Sequence, residues 1–544
     1  MEEVNQQNKT AKINLPVFWG SAIICVLFYA PMVIFQAEAK GIIDKLMFVI
    51  THSTDWLWEG VAFGALVFSL WLALSRYGNI KLGDRDEKPE FSTFTWIAMM
   101  FCGASGAGLV YWAMVEPIFY LQGPPFGIKP MSPESGSWAL AYGIFHWGFS
   151  AWGTFAIPAV AFSYMFYVRK RPYLYPSYAC RGLLGDSVDG WVGKVIDVMV
   201  IIGMVGGCAT ALGVVVPMIS KITADYMGMP DSTGVQIGVA IVFAMMYGYS
   251  CYQGLYSGIA KLADYNTYLT FVILAFVLIV GPTAFMFSLF GENVGMMFQN
   301  FIRMSFYTDP LGKSGFPQDW TVFYWAWWFA WAMYVGLFFT RISRGRTIRE
   351  LIINMIVTCT AGSALFYLVF GSYSVDLIMN QGIDLGAILK QSGGPGVISA
   401  TLKTLPFSGL VIPIFIVVML ISQATGVDAM AYTMSAMACF EIKDKQEPPK
   451  WSRVFWAAML LFATIALLLV GGMKVVQLSS VLTSVPVLFI TIILAISLLK
   501  WIQEDFGERL QPQVLGSDDR KMSQEDIAKP QRVDKPAVNV GSSS

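Results

Sequence analysis

Two short stretches concentrate tryptophan inside apolar sequence: FHWGFSAWGTF at 145–155 and WTVFYWAWWFAW at 320–331. An indole face attracts a cation through its quadrupole, by about 0.5 kcal/mol in water and ~2 kcal/mol or more once desolvated, and quaternary ammonium is the ligand that suits it best. On a helix Trp327 and Trp331 are four apart and share a face, while Trp328 lies about 100° round and reaches a second surface. Trp147 and Trp152 stand well inside another apolar run, too deep for the interfacial belt that tryptophan favours and that accounts better for Trp320. Two such helices side by side make a box for a methylated cation. A permanently methylated nitrogen has no N–H to donate, so the box needs no carboxylate. Ligand-free packing of aromatic helices would use the same spacing.

Other interruptions of apolar sequence could meet the rest of such a ligand. In FCGASGAGLVYW, Gly103, Gly106 and Gly108 invite local unwinding, which in secondary transporters exposes backbone N–H groups to an anion and carbonyls to a cation. Close helix packing through small residues is the rival reading. In LISQATGVDAMAYTM, Gln423, Thr425, Gly426 and Asp428 break an apolar run. A carboxylate there is a functional candidate, or a hydrogen-bonded structural group. Glu116 before Pro117, and Asp264 with Asn266, carry the same two readings. The seven cysteines are scattered without a CxxC pair, so neither a disulfide framework nor a metal site is expected. With no nucleophile–base pair or phosphate loop, the chain does not read as an enzyme and calls for no cofactor. His146 reads as a packed or hydrogen-bonded helix residue.

The elements that must position these groups are membrane helices. Of 544 residues, 56% are hydrophobic and only 13% charged, against roughly a quarter charged in a soluble domain. Apolar runs of the ~20 residues needed to cross a bilayer fall near 15–36, 57–76, 94–121, 137–168, 194–218, 234–252, 265–290, 320–341, 350–372, 405–440, 452–472 and 476–500. This predicts an all-α polytopic membrane protein of about twelve spans, with 296–306 as an interfacial helix before the eighth. The chain divides into a tail at 1–14, a transmembrane domain at 15–500 and a polar tail at 501–544, with 511–544 expected to be disordered. Basic residues cluster in alternate loops: Arg76, Lys81, Arg85 and Lys88, then Arg169, Lys170, Arg171 and Arg181, then Arg341, Arg344, Arg346 and Arg349, then Lys443, Lys445, Lys450 and Arg453. The positive-inside rule then puts both termini in the cytoplasm, with the chain in the cytoplasmic membrane. The balance of 36 basic and 36 acidic residues gives no sign of a nucleic-acid partner.

Over roughly 12–505 the sequence resembles the betaine/carnitine/choline transporters. The resemblance rests on WTVFYWAWWFAWAMYVGLFFTRISRGRTIRE at 320–350, EFSTFTW at 90–96, the Glu116-Pro117 pair, PPFG at 124–127 and FHW at 145–147. It implies a leucine-transporter-like fold, in which spans three to seven and eight to twelve form two inverted five-helix repeats. It also implies alternating access and assembly as a homotrimer. Matched position by position, the family's substrate cage falls on Trp147, Trp152, Trp327, Trp328 and Trp331. Phe155 stands where betaine-selective relatives have tyrosine, and Phe119 where carnitine exchangers have a cage tyrosine. The substrate carboxylate is expected at unwound backbone around Ser105, Gly106 and Gly108.

The resemblance also bears on coupling. Exchangers that work without an ion carry an arginine where this chain has Asn266, so the fixed cation is missing. Sodium-driven members place adjacent Thr and Ser hydroxyls where this chain has Thr425 and Gly426. Ala104, Ser105, Asn266, Ser422 and Thr425 form the expected coupling site, with Na+ or H+ as the coupling ion. The family's second sodium position maps onto Met204 and Cys208, which lack the hydroxyls. The expected function is ion-coupled uptake of a quaternary-ammonium zwitterion such as glycine betaine or carnitine. Ion-independent carnitine/butyrobetaine antiport is the alternative, and a membrane sensor signalling through the tail is the alternative of another class. Gly108 stands where choline-preferring relatives tend to have aspartate, which argues against choline.

Overall fold

The computed structural model describes residues 11–103, 106–171, 173–253, 259–440, 446–507 and 514–520. Among them, ten helices are long and apolar enough to cross a membrane, and the count reaches twelve when each of two bent helix pairs is taken as one span. The unbroken members Leu15–Ile34, Asp55–Leu74 and Lys450–Val470 follow the apolar runs closely, whereas the fifth span, Trp191–Met227, runs nine residues past the expected 218. Two helices of about five turns lie outside the expected spans, Gln36–Ser53 after the first and Leu385–Lys403 after the ninth, and two single-turn helices, Pro176–Ala179 and Arg181–Leu184, follow the fourth. Local sequence sets several starts. Ser132 and Ser135 form a reciprocal capping box ahead of Pro133, and Thr347 with Glu350 does the same for the ninth span, satisfying N–H groups that a helix start leaves unpaired.

Three spans depart from straight helices where the site needs it. The third is two helices, Thr93–Gly103 and Ala107–Gln122, at 55° to each other; Gly106 at their junction is extended, with φ −138° and ψ 163°. The fourth, predicted continuous, is broken too: Pro133–His146 ends at Trp147, and Phe149–Ser163 restarts after Gly148. The seventh, Ile259–Val280, ends at Gly281-Pro282 and turns by 106° into Thr283–Ser305. Proline has no N–H to continue a helix and restricts the residue before it. The seventh span therefore stops ten residues short of the expected 290, and the interfacial helix is more than twice its expected length. That helix buries Met286, Leu289 and Met297 and leaves Phe287, Phe298 and Ile302 exposed.

The third, fourth, eighth (Pro317–Ile342) and ninth (Ile348–Met379) spans pack together as one bundle. They are the first two members of each five-span group. The fifth and sixth (Thr233–Gln253) pack against the tenth (Ser408–Met437) and eleventh, the third and fourth members of each group. This pairing is the one expected of two repeats. Each of spans four, eight and nine contains one π-helical turn, at Tyr164–Val168, Pro317–Thr321 and Tyr367–Gly371; such turns rotate the side chains that follow and often mark functional sites.

The twelfth span, Met473–Asp505, runs past the expected end at 500. Asp505, fully buried, accepts hydrogen bonds from Tyr164 at 2.7 Å and from Arg169 at 2.8 and 3.0 Å, and the Arg169 guanidinium lies 4.7 Å from the Trp501 ring. Removing one partner of a buried pair strands the other charge, at about 3–5 kcal/mol. Arg169→Ala is accordingly expected to lower the thermal unfolding midpoint of the detergent-solubilised protein, whereas Arg181→Ala, whose partner Asp186 is exposed and whose partner Asp189 is partly exposed, should change it little. Residues 514–520 lie within the stretch expected to be disordered, yet they are docked. Lys81 N–H donates to the Leu515 carbonyl at 2.7 Å, Ser517 N–H to that of Gly83 at 2.8 Å, and Arg85 pairs with Asp519. The Ser517 hydroxyl and Lys170 hold the Asp84 carboxyl below its ordinary value. A lowered carboxylate contributes stability above its unfolded pKa and loses it as pH falls through the folded one, so this contact holds at neutral pH and weakens only in acid.

Candidate functional site

The break in the fourth span sets Trp147 beside two consecutive indoles of the eighth. Trp147 meets Trp328 edge to face, with centroids 4.6 Å apart and planes at 74°, and Trp327 at 5.9 Å and 87°. Trp327 and Trp328 stack at 5.1 Å and 14°. Phe155 meets Trp328 at 5.9 Å and Trp152 at 5.3 Å. Hydrogen bonds fix the rings. The break frees the last carbonyls of Pro133–His146 from helical bonding, and the indoles take them up: Trp328 Nε1 donates to the His146 carbonyl at 2.8 Å and Trp152 Nε1 to that of Trp147 at 3.1 Å. Trp327 Nε1 donates to the Gly207 carbonyl of the fifth span at 3.0 Å.

These rings line a cavity of about 550 Å³ between the bundle and the fifth, seventh and tenth spans, a size suited to a small organic solute. Trp147, Trp152, Phe155, Trp327, Trp328 and Trp331 form its aromatic wall. Asn266, Thr267 and Thr270 of the seventh span and Ser422, Gln423 and Thr425 of the tenth form a polar one. No lysine, arginine, aspartate or glutamate is among the described residues lining it. The second half of the third span begins at Gly106 without a side-chain cap, and Gly106, Ala107, Gly108 and Leu109 all line the cavity. An uncapped helix N-terminus leaves N–H groups and a partial positive charge for an anion. A Cβ on Gly106 would meet nothing within 4 Å, and one on Gly108 would reach the Trp327 ring at 3.7 Å.

The betaine/carnitine/choline transporter family model matches residues 16–507. The chain belongs to that family. The transporter is thus a multi-pass membrane protein moving betaine-, carnitine- or choline-type solutes, and its cavity is the one place among the described residues where the sequence-expected groups converge.

One expected contact does not join the cavity. Phe119 instead packs on Trp320, with centroids 4.8 Å apart, because the helix carries it a full turn and more beyond Trp112 and away from the break. Ala104 and Ser105 lie outside the described residues. Asp428 accepts from Ser250 at 2.5 Å and from the Cys251 thiol at 3.0 Å and is not among the described residues lining the cavity. Thr267 and Thr270 were not anticipated, although their spacing with Asn266 puts them on adjoining faces of one helix.

Sequence reasoning left Glu116 ambiguous. It is fully buried at the centre of the bundle and joins all four of its spans. Its Oε1 accepts from Tyr120 and lies 2.9 Å from His146 Nδ1; its Oε2 accepts from Tyr324 at 2.9 Å and from Tyr367. His146 Nε2 is 3.1 Å from the Thr321 hydroxyl. Thr321 and Tyr367 both stand on π-helical turns. The Tyr324 ring separates this cluster from the cage, 5.8 Å from Trp328 and 6.0 Å from Trp147.

Proposed function

We propose that the transporter carries a zwitterionic quaternary amine, glycine betaine, carnitine or a related betaine, by ion-coupled alternating access. Trp147, Trp327, Trp328 and Trp331 receive the trimethylammonium group, with Trp152 and Phe155 closing the aromatic side. The substrate carboxylate meets the helix start at Gly106 and Gly108. The observation that carries this reading is that the indole box and a helix N-terminus without a side-chain cap open on one cavity that no charged side chain lines among the described residues, which matches a ligand bearing both charges itself. Phe155 keeps a ring at its position and offers no hydroxyl, so that position presents a ring to the cation and no hydrogen bond.

For coupling, Asn266 Oδ1 is buried without a hydrogen-bond partner among the described residues. The Thr425 hydroxyl spends its hydrogen on the carbonyls of Ile421 and Ser422, at 3.0 and 2.9 Å, which leaves its lone pairs for a cation. Hard cations take several such oxygens, and with Ser422 these groups make Na+ the favoured coupling ion over H+. Homotrimeric assembly in the cytoplasmic membrane, both termini cytoplasmic, completes the proposal.

The test is uptake into proteoliposomes of labelled glycine betaine, carnitine, butyrobetaine and choline, under sodium, proton or counter-substrate gradients imposed in turn. Uptake driven by an inward sodium gradient is expected. Exchange that needs only counter-substrate would replace ion coupling by antiport, and no transport of any of the four would remove the reading. Thr425→Val should raise the sodium concentration for half-maximal uptake by roughly tenfold, since a hydrogen bond or ligand to a charge is worth about 1.5–3 kcal/mol.

A further inference from the structure

We infer that Glu116 is the counter-charge for the substrate's quaternary nitrogen, acting from behind the cage and setting the preference for a cation over a neutral group of the same shape. This rests on the quaternary-amine reading above. An ionised carboxylate offers about four lone-pair directions, and four donors fill them: the hydroxyls of Tyr120, Tyr324 and Tyr367 and the Nδ1–H of His146. With His146 neutral, its Nε2 accepts from Thr321, and every polar atom of the cluster is used. The cluster then carries one negative charge with no fixed cation: among the described residues no lysine or arginine pairs with Glu116, and His146 is its sole basic neighbour.

The groups facing the cluster are tyrosines. Tyr120 and Tyr111 belong to its own span, Tyr142 to the fourth, Tyr324 to the eighth and Tyr367 to the ninth; beyond Tyr142 lie Glu59 of the second span and Arg303 of the interfacial helix. A net charge buried inside a membrane-spanning bundle calls for a partner. Among the described residues no charged side chain lines the cavity, and the trimethylammonium group would arrive one phenol ring away. Such a cation cannot accept a hydrogen bond, so a carboxylate needs only proximity to act on it. Tyr324 strengthens the effect, because donating its hydroxyl to an anion makes the phenol, whose ring lies 5.8 Å from Trp328 and 6.0 Å from Trp147, more negative.

The experiment compares binding of each zwitterion with that of its carbon isostere, in which C(CH3)3 replaces N(CH3)3+: glycine betaine with 3,3-dimethylbutanoate and γ-butyrobetaine with 5,5-dimethylhexanoate. Affinities are read from tryptophan fluorescence of the purified full-length protein. At an effective dielectric of ~20, a charge one ring beyond the ligand is worth on the order of tenfold in affinity. Glu116→Gln should therefore lower the cation-to-isostere ratio by about tenfold, with the isostere binding as well as to wild type or better. Glu116→Asp, which keeps the charge, should hold the ratio. A merely structural role would weaken both ligands together and leave the ratio fixed, which overturns the inference. Tyr324→Phe keeps the other three donors and gives a second reading if Glu116→Gln does not fold; it should lower the ratio several-fold, and an unchanged ratio overturns the inference again. Failure of the wild type to bind either zwitterion overturns the quaternary-amine reading and this inference with it; binding with an insensitive ratio overturns this inference alone.

Discussion

Trp328→Ala should weaken binding of the quaternary-ammonium substrate by about a hundredfold. Trp328 is the ring that touches most of the box, edge to face with Trp147, stacked on Trp327 and in contact with Phe155. Its loss removes one desolvated cation–π contact, about 2 kcal/mol. It also opens a void that admits water beside the remaining rings and leaves the His146 carbonyl without its donor. Each 1.4 kcal/mol is tenfold, so the two effects together reach two orders of magnitude. Trp147→Phe should cost less, about tenfold, because a smaller ring stays in place. Isothermal titration of the purified protein measures both; an affinity for Trp328→Ala within twofold of wild type would remove Trp328 from the cage.

The second large effect is expected far from any ligand contact. Gly336 lies on the eighth span where it crosses the fourth, and a Cβ built there would sit 2.8 Å from Pro158 Cβ and 2.9 Å from the Ala159 backbone nitrogen. Neither atom is the free end of a side chain that could move aside. The crossing is held next to it by Thr340, whose hydroxyl is 3.1 Å from the Ala159 carbonyl and 3.1 Å from the Ser163 hydroxyl. Small residues at such crossings let membrane helices pack closely. Gly336→Ala is expected to destabilise the protein by about 1–3 kcal/mol, the usual cost of overpacking, and Gly336→Leu to prevent folding. The spans forced apart are those that carry Trp147 and Trp328, so substrate affinity should fall together with the unfolding midpoint. Normal stability of Gly336→Leu would show that this crossing is looser than its geometry.

Much of the cage was legible because its residues are of a type and density that apolar packing seldom requires. Helical spacing alone favoured Trp327 with Trp331 as the shared face. In the fold, Trp327 and Trp328 stack, and Trp331 continues the same cavity wall beside Tyr334, 5.6 Å away. The difference comes from Trp147: the break at Gly148 sends that ring toward both neighbours, and nothing in FHWGFSAW distinguishes a break there from a continuous helix. The glycines of the third span gave a readable signal for their break. The turn at Gly281-Pro282 was also present in the sequence, but the apolar residues after it hid it, since hydropathy reports burial in lipid and not direction.

By itself, the sequence determined that the chain is an all-α membrane protein, where most of its apolar spans run, and that tryptophans are concentrated inside two of them, because these follow from side-chain chemistry and local period. Only the tertiary structure decided which indoles meet, that Phe119 stays outside the cavity, that 514–520 docks on the loop after the second span, and that Glu116, Tyr120, His146, Tyr324 and Tyr367 form one buried cluster behind the cage. Those residues come from four spans separated by up to 251 positions. Their hydrogen bonds depend on helix breaks and π-helical turns that rotate each span by amounts no local spacing records.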